Sequence, residues 1–198
     1  MRTRRQPLYW IIAIGVLDGC VADAPSHVDR PTRGFADRVL AGPSQDTVTP
    51  FPGTMGPVRR PSPSAAGNPA LLRAVRAARN TGFDRVVFEF SGQDLPGYQI
   101  GYATEPVRAC GTGDAVPLAG VGRLVVRLEP AQAHDALGRV TIDERESAPG
   151  LSMVKEMKQV CDFEGQVEWA LGLAARRRFR VLEASDPLRV IVDVRHRD

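Results

Sequence analysis

An all-β domain is predicted for residues 70–198, a small antiparallel β-sandwich with a partly closed barrel as the alternative. Two observations carry the prediction: apolar side chains recur at every second position in a series of short runs, and turn residues divide one run from the next. The first segment, Leu71 to Arg79, is ambiguous. Its composition favours a helix and sets Leu71, Leu72 and Val75 on one helical face, yet Asn80-Thr81-Gly82 is a turn signal placed directly before the next run, as in a hairpin. Val86, Phe88 and Phe90 then alternate with Val87 and Glu89, giving a strand with one apolar face. Gly97 to Ala103 reads as a strand that projects Tyr98 and Tyr102 to the same side. Leu124, Val126 and Leu128 repeat the alternation with Arg127 turned the other way. After a further strand around Met153 to Phe163, Val167, Trp169 and Leu171 do the same, which assigns Trp169 to the core. A strand from Arg178 to Glu183 precedes the clearest period of all, Leu188, Val190, Val192 and Val194 against Arg189, Ile191, Asp193 and Arg195. Seven or eight strands at this spacing pack as two antiparallel sheets.

Two different segments precede this domain. Residues 1–19 have the layout of a secretory signal: Arg2, Arg4 and Arg5 lead into an uncharged run from Gln6 to Leu17. The apolar heart of that run is about half the roughly 20 residues that a spanning helix needs. It ends in Leu17-Asp18-Gly19-Cys20, which resembles a bacterial lipobox, where the cysteine is acylated and becomes the new N-terminus; Asp18 departs from the small or apolar residue usual there. Cys20 is therefore the expected lipidation site. A rival cut after Ala22-Asp23-Ala24 meets Pro25, which blocks the general signal peptidase, and an uncleaved anchor is the third route; each of the three exports the domain. Residues 20–69 hold nine of the sixteen prolines, with Ser, Thr and Gly among them, and read as a disordered tether. Some fifty extended residues reach on the order of 100 Å.

The charge balance excludes one class of partner. The formal charge of +3 falls to near neutrality once Arg2, Arg4, Arg5 and Asp18 leave with the signal, so the chain lacks the one-sided field of a nucleic-acid binder. Catalytic signatures are equally lacking: the sequence contains no His-Glu-x-x-His, Gly-x-Ser-x-Gly, Cys-x-x-Cys or phosphate loop. Of three histidines, His27 lies in the tether, His196 near the end, and His134 beside Asp135 in a loop, where neighbours in sequence rarely face each other. Neither a metal nor a cofactor is expected. Asp143-Glu-Arg-Glu146 has the oxygen ligands of a cation site but reads as a solvated loop.

Three features remain as candidates. Cys110 and Cys161 form an even pair in an oxidising compartment, and they are either bridged or two small apolar fillers. Arg176, Arg177 and Arg178 with Arg180 form a basic cluster able to meet carboxylates or phosphates, or simply a hydrated turn. Tyr98 and Tyr102 offer either a platform for sugar rings or core packing beside Ile100.

The closing stretch, in which Asp186-Pro187 leads into Arg189-Val-Ile-Val-Asp193, resembles the ending of AMIN domains. Gly82-Phe-Asp-Arg-Val-Val-Phe-Glu-Phe90, Leu95-Pro-Gly-Tyr98, Val116-Pro-Leu-Ala-Gly120, Ala133-His134-Asp135 and Asp162-Phe-Glu-Gly165 extend the likeness to the AMIN-like domain of bacterial envelope lipoproteins, over about Leu71 to Val194. That resemblance implies a β-sandwich, makes Leu72 to Arg79 a strand, and gives Asp84, Arg85, Arg189 and Asp193 supporting roles in turns and cross-strand pairs. It implies a non-catalytic envelope lipoprotein that localises itself by binding peptidoglycan or another wall component. The alternative is a protein-interaction module that delivers or regulates a separate wall enzyme or secretion complex. The lipid anchor makes the membrane a partner, with the domain in the periplasm or outside the cell; in a diderm host Val21 after Cys20 points to the outer membrane.

Overall fold

Strands that alternate apolar and polar side chains bury one face and wet the other, so they pack as paired sheets. In the computed structural model, which describes residues 51–62 and 68–197 within one unit running from Val48 to Asp198, two sheets hold eleven strands. They are β1 (Val58–Arg60), β2 (Ala70–Asn80), β3 (Phe83–Ser91), β4 (Gly97–Tyr102), β5 (Gly122–Glu129), β6 (Ala131–Gln132), β7 (Glu146–Ser147), β8 (Val154–Phe163), β9 (Gln166–Leu173), β10 (Phe179–Ser185) and β11 (Leu188–Arg195). The first sheet runs β1-β4-β5-β9-β8-β7 and the second β10-β11-β3-β2-β6, and one of the two curls into half a barrel. Every pairing is antiparallel except β2 with β6, and no helix occurs among the described residues. The signal segment, Cys20 and the tether up to residue 50 lie outside the described residues.

The dry interior is built from the alternating positions. Leu124, Val126 and Leu128 of β5 join Val86 and Phe88 of β3 and Val190 and Val192 of β11 in one fully buried cluster. Each such side chain contributes roughly 1.5–3 kcal/mol of burial. Trp169 is buried and meets Phe88 edge-on, with ring centroids 6.2 Å apart. The ambiguous segment is strand β2: it turns at Thr81-Gly82, where Gly82 adopts φ 84°, and pairs along β3. Its register shifts between Leu72 and Ala74, and this irregularity obscures the period in the sequence.

Two buried carboxylates lock one end of the second sheet, where β3 begins and β11 finishes. Asp84 accepts the backbone N–H groups of Met153 (2.5 Å) and Val154 (3.1 Å) and faces His196 Nε2 at 2.7 Å. His196 is thus fastened, its own N–H also donating to the Gly82 carbonyl. Asp193 lies opposite Arg85, receives that guanidinium in bidentate fashion at 2.7 and 2.9 Å, and accepts Arg180 Nε at 2.8 Å. With three donors each, the two carboxylates avoid the penalty of an unpaired buried charge.

The ordered domain begins well before Ala70. Residues 51–62, which composition assigns to the tether, form a strap against the sandwich. Thr54 exchanges two backbone hydrogen bonds with Phe179, β1 pairs with β4, and Phe51 packs on Phe83 at 6.1 Å. The strap comes close at Gly97, where an added Cβ would stand 2.5 Å from the Ser62 nitrogen, so no larger residue fits without displacing it. Proline-rich composition leaves the strap few hydrogen bonds of its own, but partners brought from β4 and β10 supply them.

Candidate functional site

Alternation that buries Leu124, Val126 and Leu128 sends Arg123, Val125 and Arg127 to the outer face of the six-stranded sheet. Strand register then assembles one row across that face: Arg59 lies opposite Gln99, Gln99 opposite Arg127, Arg127 opposite Glu168, and Glu168 opposite Cys161. Three adjoining depressions, of about 400, 420 and 330 Å³, all have Arg127 in their lining. Together they form one shallow open trough. The strap bounds it on one side through Met55, Pro57 and Arg59, and the segment from Thr104 to Arg108 bounds it on the other.

The trough's charges are unequally committed. Glu168 receives Arg127 Nε at 3.0 Å and Gln166 Nε2 at 3.3 Å, so both its oxygens are engaged. Arg127 keeps its two Nη groups without a partner among the described residues, and Arg59 is exposed with none. Arg176 stands at one end, its guanidinium 4.7 Å from the Tyr102 ring centroid. Planar guanidinium forks turned towards solvent match carboxylates in bidentate geometry. A shallow open trough suits an extended chain, whereas a small substrate is usually enclosed.

A loop staples the far end of the row. Cys161 of β8 is bonded to Cys110, with Cα atoms 5.2 Å apart, and the Cys110 N–H donates to the Val160 carbonyl. Beneath this loop Val107, Val160 and Ala170 form a second small buried cluster. The disulfide thereby fixes the wall from Thr104 to Arg108 against the sheet.

The six candidate residues Tyr98, Tyr102, Arg176, Arg177, Arg178 and Arg180 divide between the trough and contacts internal to the fold. Tyr98 and Tyr102 share a face, but it is the inward one, opposite Leu128 and Leu124. The Tyr98 hydroxyl donates to Glu183 at 2.9 Å, and Arg60 donates to the same carboxylate at 2.7 Å, which ties the first sheet to β10. Burial, then the hydrogen bond to Glu183, push the Tyr98 phenol up to about 12. The Tyr102 hydroxyl donates to the Arg177 carbonyl and accepts the Arg177 N–H, at 2.7 and 2.8 Å. Arg178 donates to the Gly53 carbonyl at 2.9 Å, and Arg180, besides its bond to Asp193, covers the rings of Phe51 and Phe83. Of the six, Arg176 and Tyr102 line the first depression of the trough and Tyr98 the second, whereas Arg177, Arg178 and Arg180 line none of the three.

The remaining candidates resolve into local structure. His134 Nδ1 faces Asp162 at 2.9 Å, not Asp135. Asp135 accepts the N–H groups of Leu137 and Arg139 and the Arg139 guanidinium, which holds its carboxyl below the usual range. Glu146 reaches Lys158 at 3.8 Å. Among the described residues no group of three or more His, Cys, Asp and Glu is placed to hold a metal. What sequence reasoning missed is the row itself. Composition assigns Arg59 to the tether, and Gln99, Arg127 and Glu168 come from three strands whose register no local pattern encodes.

The family model described as the AMIN-like domain matches residues 70–196. No curated protein and no solved structure matches the chain.

Proposed function

The chain belongs to the AMIN-like domain family, and from that premise we propose that it is a non-catalytic module that holds its protein at the bacterial cell wall by binding peptidoglycan in the Arg127 trough. The observation that carries this reading is the row of Arg59, Gln99, Arg127 and Glu168 across one open face, with guanidinium groups left to meet a ligand. Peptidoglycan stem peptides carry carboxylates, which these groups bind, on a polymer that no enclosed pocket would admit. In this reading Cys20 is lipidated, residues 20–50 are the tether, and the ordered strap then carries the chain onto the sandwich. About thirty extended residues reach roughly 90 Å, enough to hold the domain in the wall away from its membrane. In a diderm host that membrane is the outer one.

Co-sedimentation of the full chain with purified sacculi tests the proposal. The expected result is retention that Arg127→Gln lowers about tenfold, the worth of a hydrogen bond to a charged group, with an unchanged far-ultraviolet spectrum. Retention no greater than that of an unrelated β-sandwich, or equal for parent and variant, would remove it.

A second reading, a protein-interaction module serving a wall enzyme or secretion complex, is favoured by one observation. Phe163, the last residue of β8, and Leu137, in the loop after β6, are 61% and 76% exposed, and their segments are joined through the His134–Asp162 contact. Crosslinking in cells from position 137 separates the two readings, since this one requires a discrete protein partner.

A further inference from the structure

The outer face of the five-stranded sheet carries a charge pattern quite unlike the trough's. Register fixes it in rows. Arg180, Asp193 and Arg85 lie side by side; below them run Leu182, Ile191, Val87 and Arg76; below these run Ala184, Arg189, Glu89 and Ala74. Arg195 lies opposite Phe83 on the same face, and Arg73, at the irregularity in β2, turns outward to donate to Ser91. Six arginines therefore share the face with two carboxylates, and both carboxylates are already engaged: Glu89 by Arg76 at 2.9 Å, Asp193 by Arg85 and Arg180; Phe51 of the strap packs on Phe83 beneath Arg180 and Arg195, so the open part of the face is the stripe with Arg73, Arg76 and Arg189. The outer face of the other sheet has no such excess, because Arg59, Arg123, Arg127 and Lys158 are matched there by Glu129, Glu146, Glu156 and Glu168.

Between the rows of arginines runs an apolar stripe, Leu182, Ile191 and Val87, of which Leu182 is 38% exposed. We propose that this face docks on the anionic leaflet of a phospholipid membrane. Charge complementarity calls for phosphate or carboxylate groups. The stripe decides among their sources, since a hydrated polyanion satisfies the arginines and leaves Leu182 and Ile191 in water. A bilayer interface offers phosphates to guanidinium groups at the rim and less polar glycerol and acyl regions to the stripe, while the arginine stems lie along it. The inference does not use the trough and stands apart from the peptidoglycan reading.

Arginine footprinting with phenylglyoxal, read residue by residue by mass spectrometry, tests it on the full chain mixed with vesicles. On phosphatidylglycerol vesicles Arg73 and Arg76 are expected to react about fivefold more slowly than on phosphatidylcholine vesicles, the worth of one arginine beside an anionic leaflet. Arg59 on the opposite sheet reacts alike on both. Leu182→Asp removes the protection. Equal rates for Arg73 and Arg76 on the two lipids, equal protection of Arg59, or protection by soluble polyphosphate as strong as by vesicles would each overturn the proposal.

Discussion

The bond between Cys110 and Cys161 closes 51 residues of chain and joins β8 to the loop that walls the trough. A cross-link of that span restricts the unfolded chain by about 4 kcal/mol on the loop-entropy model. For a domain near 150 residues, a loss of that size lowers the midpoint of thermal unfolding by on the order of 10 °C. Cys161 is buried, so removing its sulfur adds only a small packing term. Circular-dichroism melts of the parent with and without reductant, and of a Cys110→Ala/Cys161→Ala variant, are expected to place the reduced parent and the variant together, well below the oxidised parent. The trough wall from Thr104 to Arg108 also loosens, so protease sites there open before global unfolding. A reduced protein with two further free thiols by mass, yet a melting midpoint within about 2 °C of the oxidised one, would refute the reasoning.

Two other perturbations follow from the buried network. Asp193→Ala leaves Arg85 and Arg180 without their common carboxylate and should cost about 3 kcal/mol in urea unfolding, with Asp193→Asn costing less; an alanine variant as stable as the parent would deny the network its role. The Tyr98 phenol, raised to about 12, holds its proton more tightly folded than unfolded. Its contribution is therefore complete below pH 10 and is lost as the pH climbs from about 10 to 12. Tyr98→Phe should flatten the fall of the denaturation midpoint over that window, and parallel parent and variant curves would count against the assignment.

The strands legible in the sequence are those whose apolar side chains recur at every second position without a slip of register. β3 and β5 bury every second residue, and β9 and β11 keep an apolar residue at every second position of the inner face even though Ala170, Gly172 and Asp193 between them are buried as well. β8 reads only as a region because its register slips twice, between Val154 and Glu156 and between Gln159 and Cys161. β1, β6 and β7, two or three residues each, are too short to show any period. The strap was invisible for a different reason. Phe51, Thr54 and Arg60 look like tether residues because their partners, Phe83, Phe179 and Glu183, lie far along the chain. The resemblance gives Arg85 and Asp193 supporting roles, but that they pair with each other depends on the register of β3 and β11, which no local pattern encodes.

The lesson of the basic cluster is that an arginine count does not locate a binding surface. A guanidinium group has a fixed set of donors, and a donor engaged by the fold contributes little to a ligand. Arg180 gives its Nε to Asp193 and its face to Phe51 and Phe83, Arg178 gives an Nη to Gly53, and Arg60 serves Glu183; these groups clamp the strap. Substituting them would disturb folding and binding together, so lost retention in such a variant would carry no information about the ligand. Arg59, with no partner among the described residues, and Arg127, with both Nη groups turned outward, have donors to give. Binding energy should therefore concentrate where the fold has left donors unspent, and these lie on strands β1 and β5, over a hundred residues from Arg180 in one case and over fifty in the other.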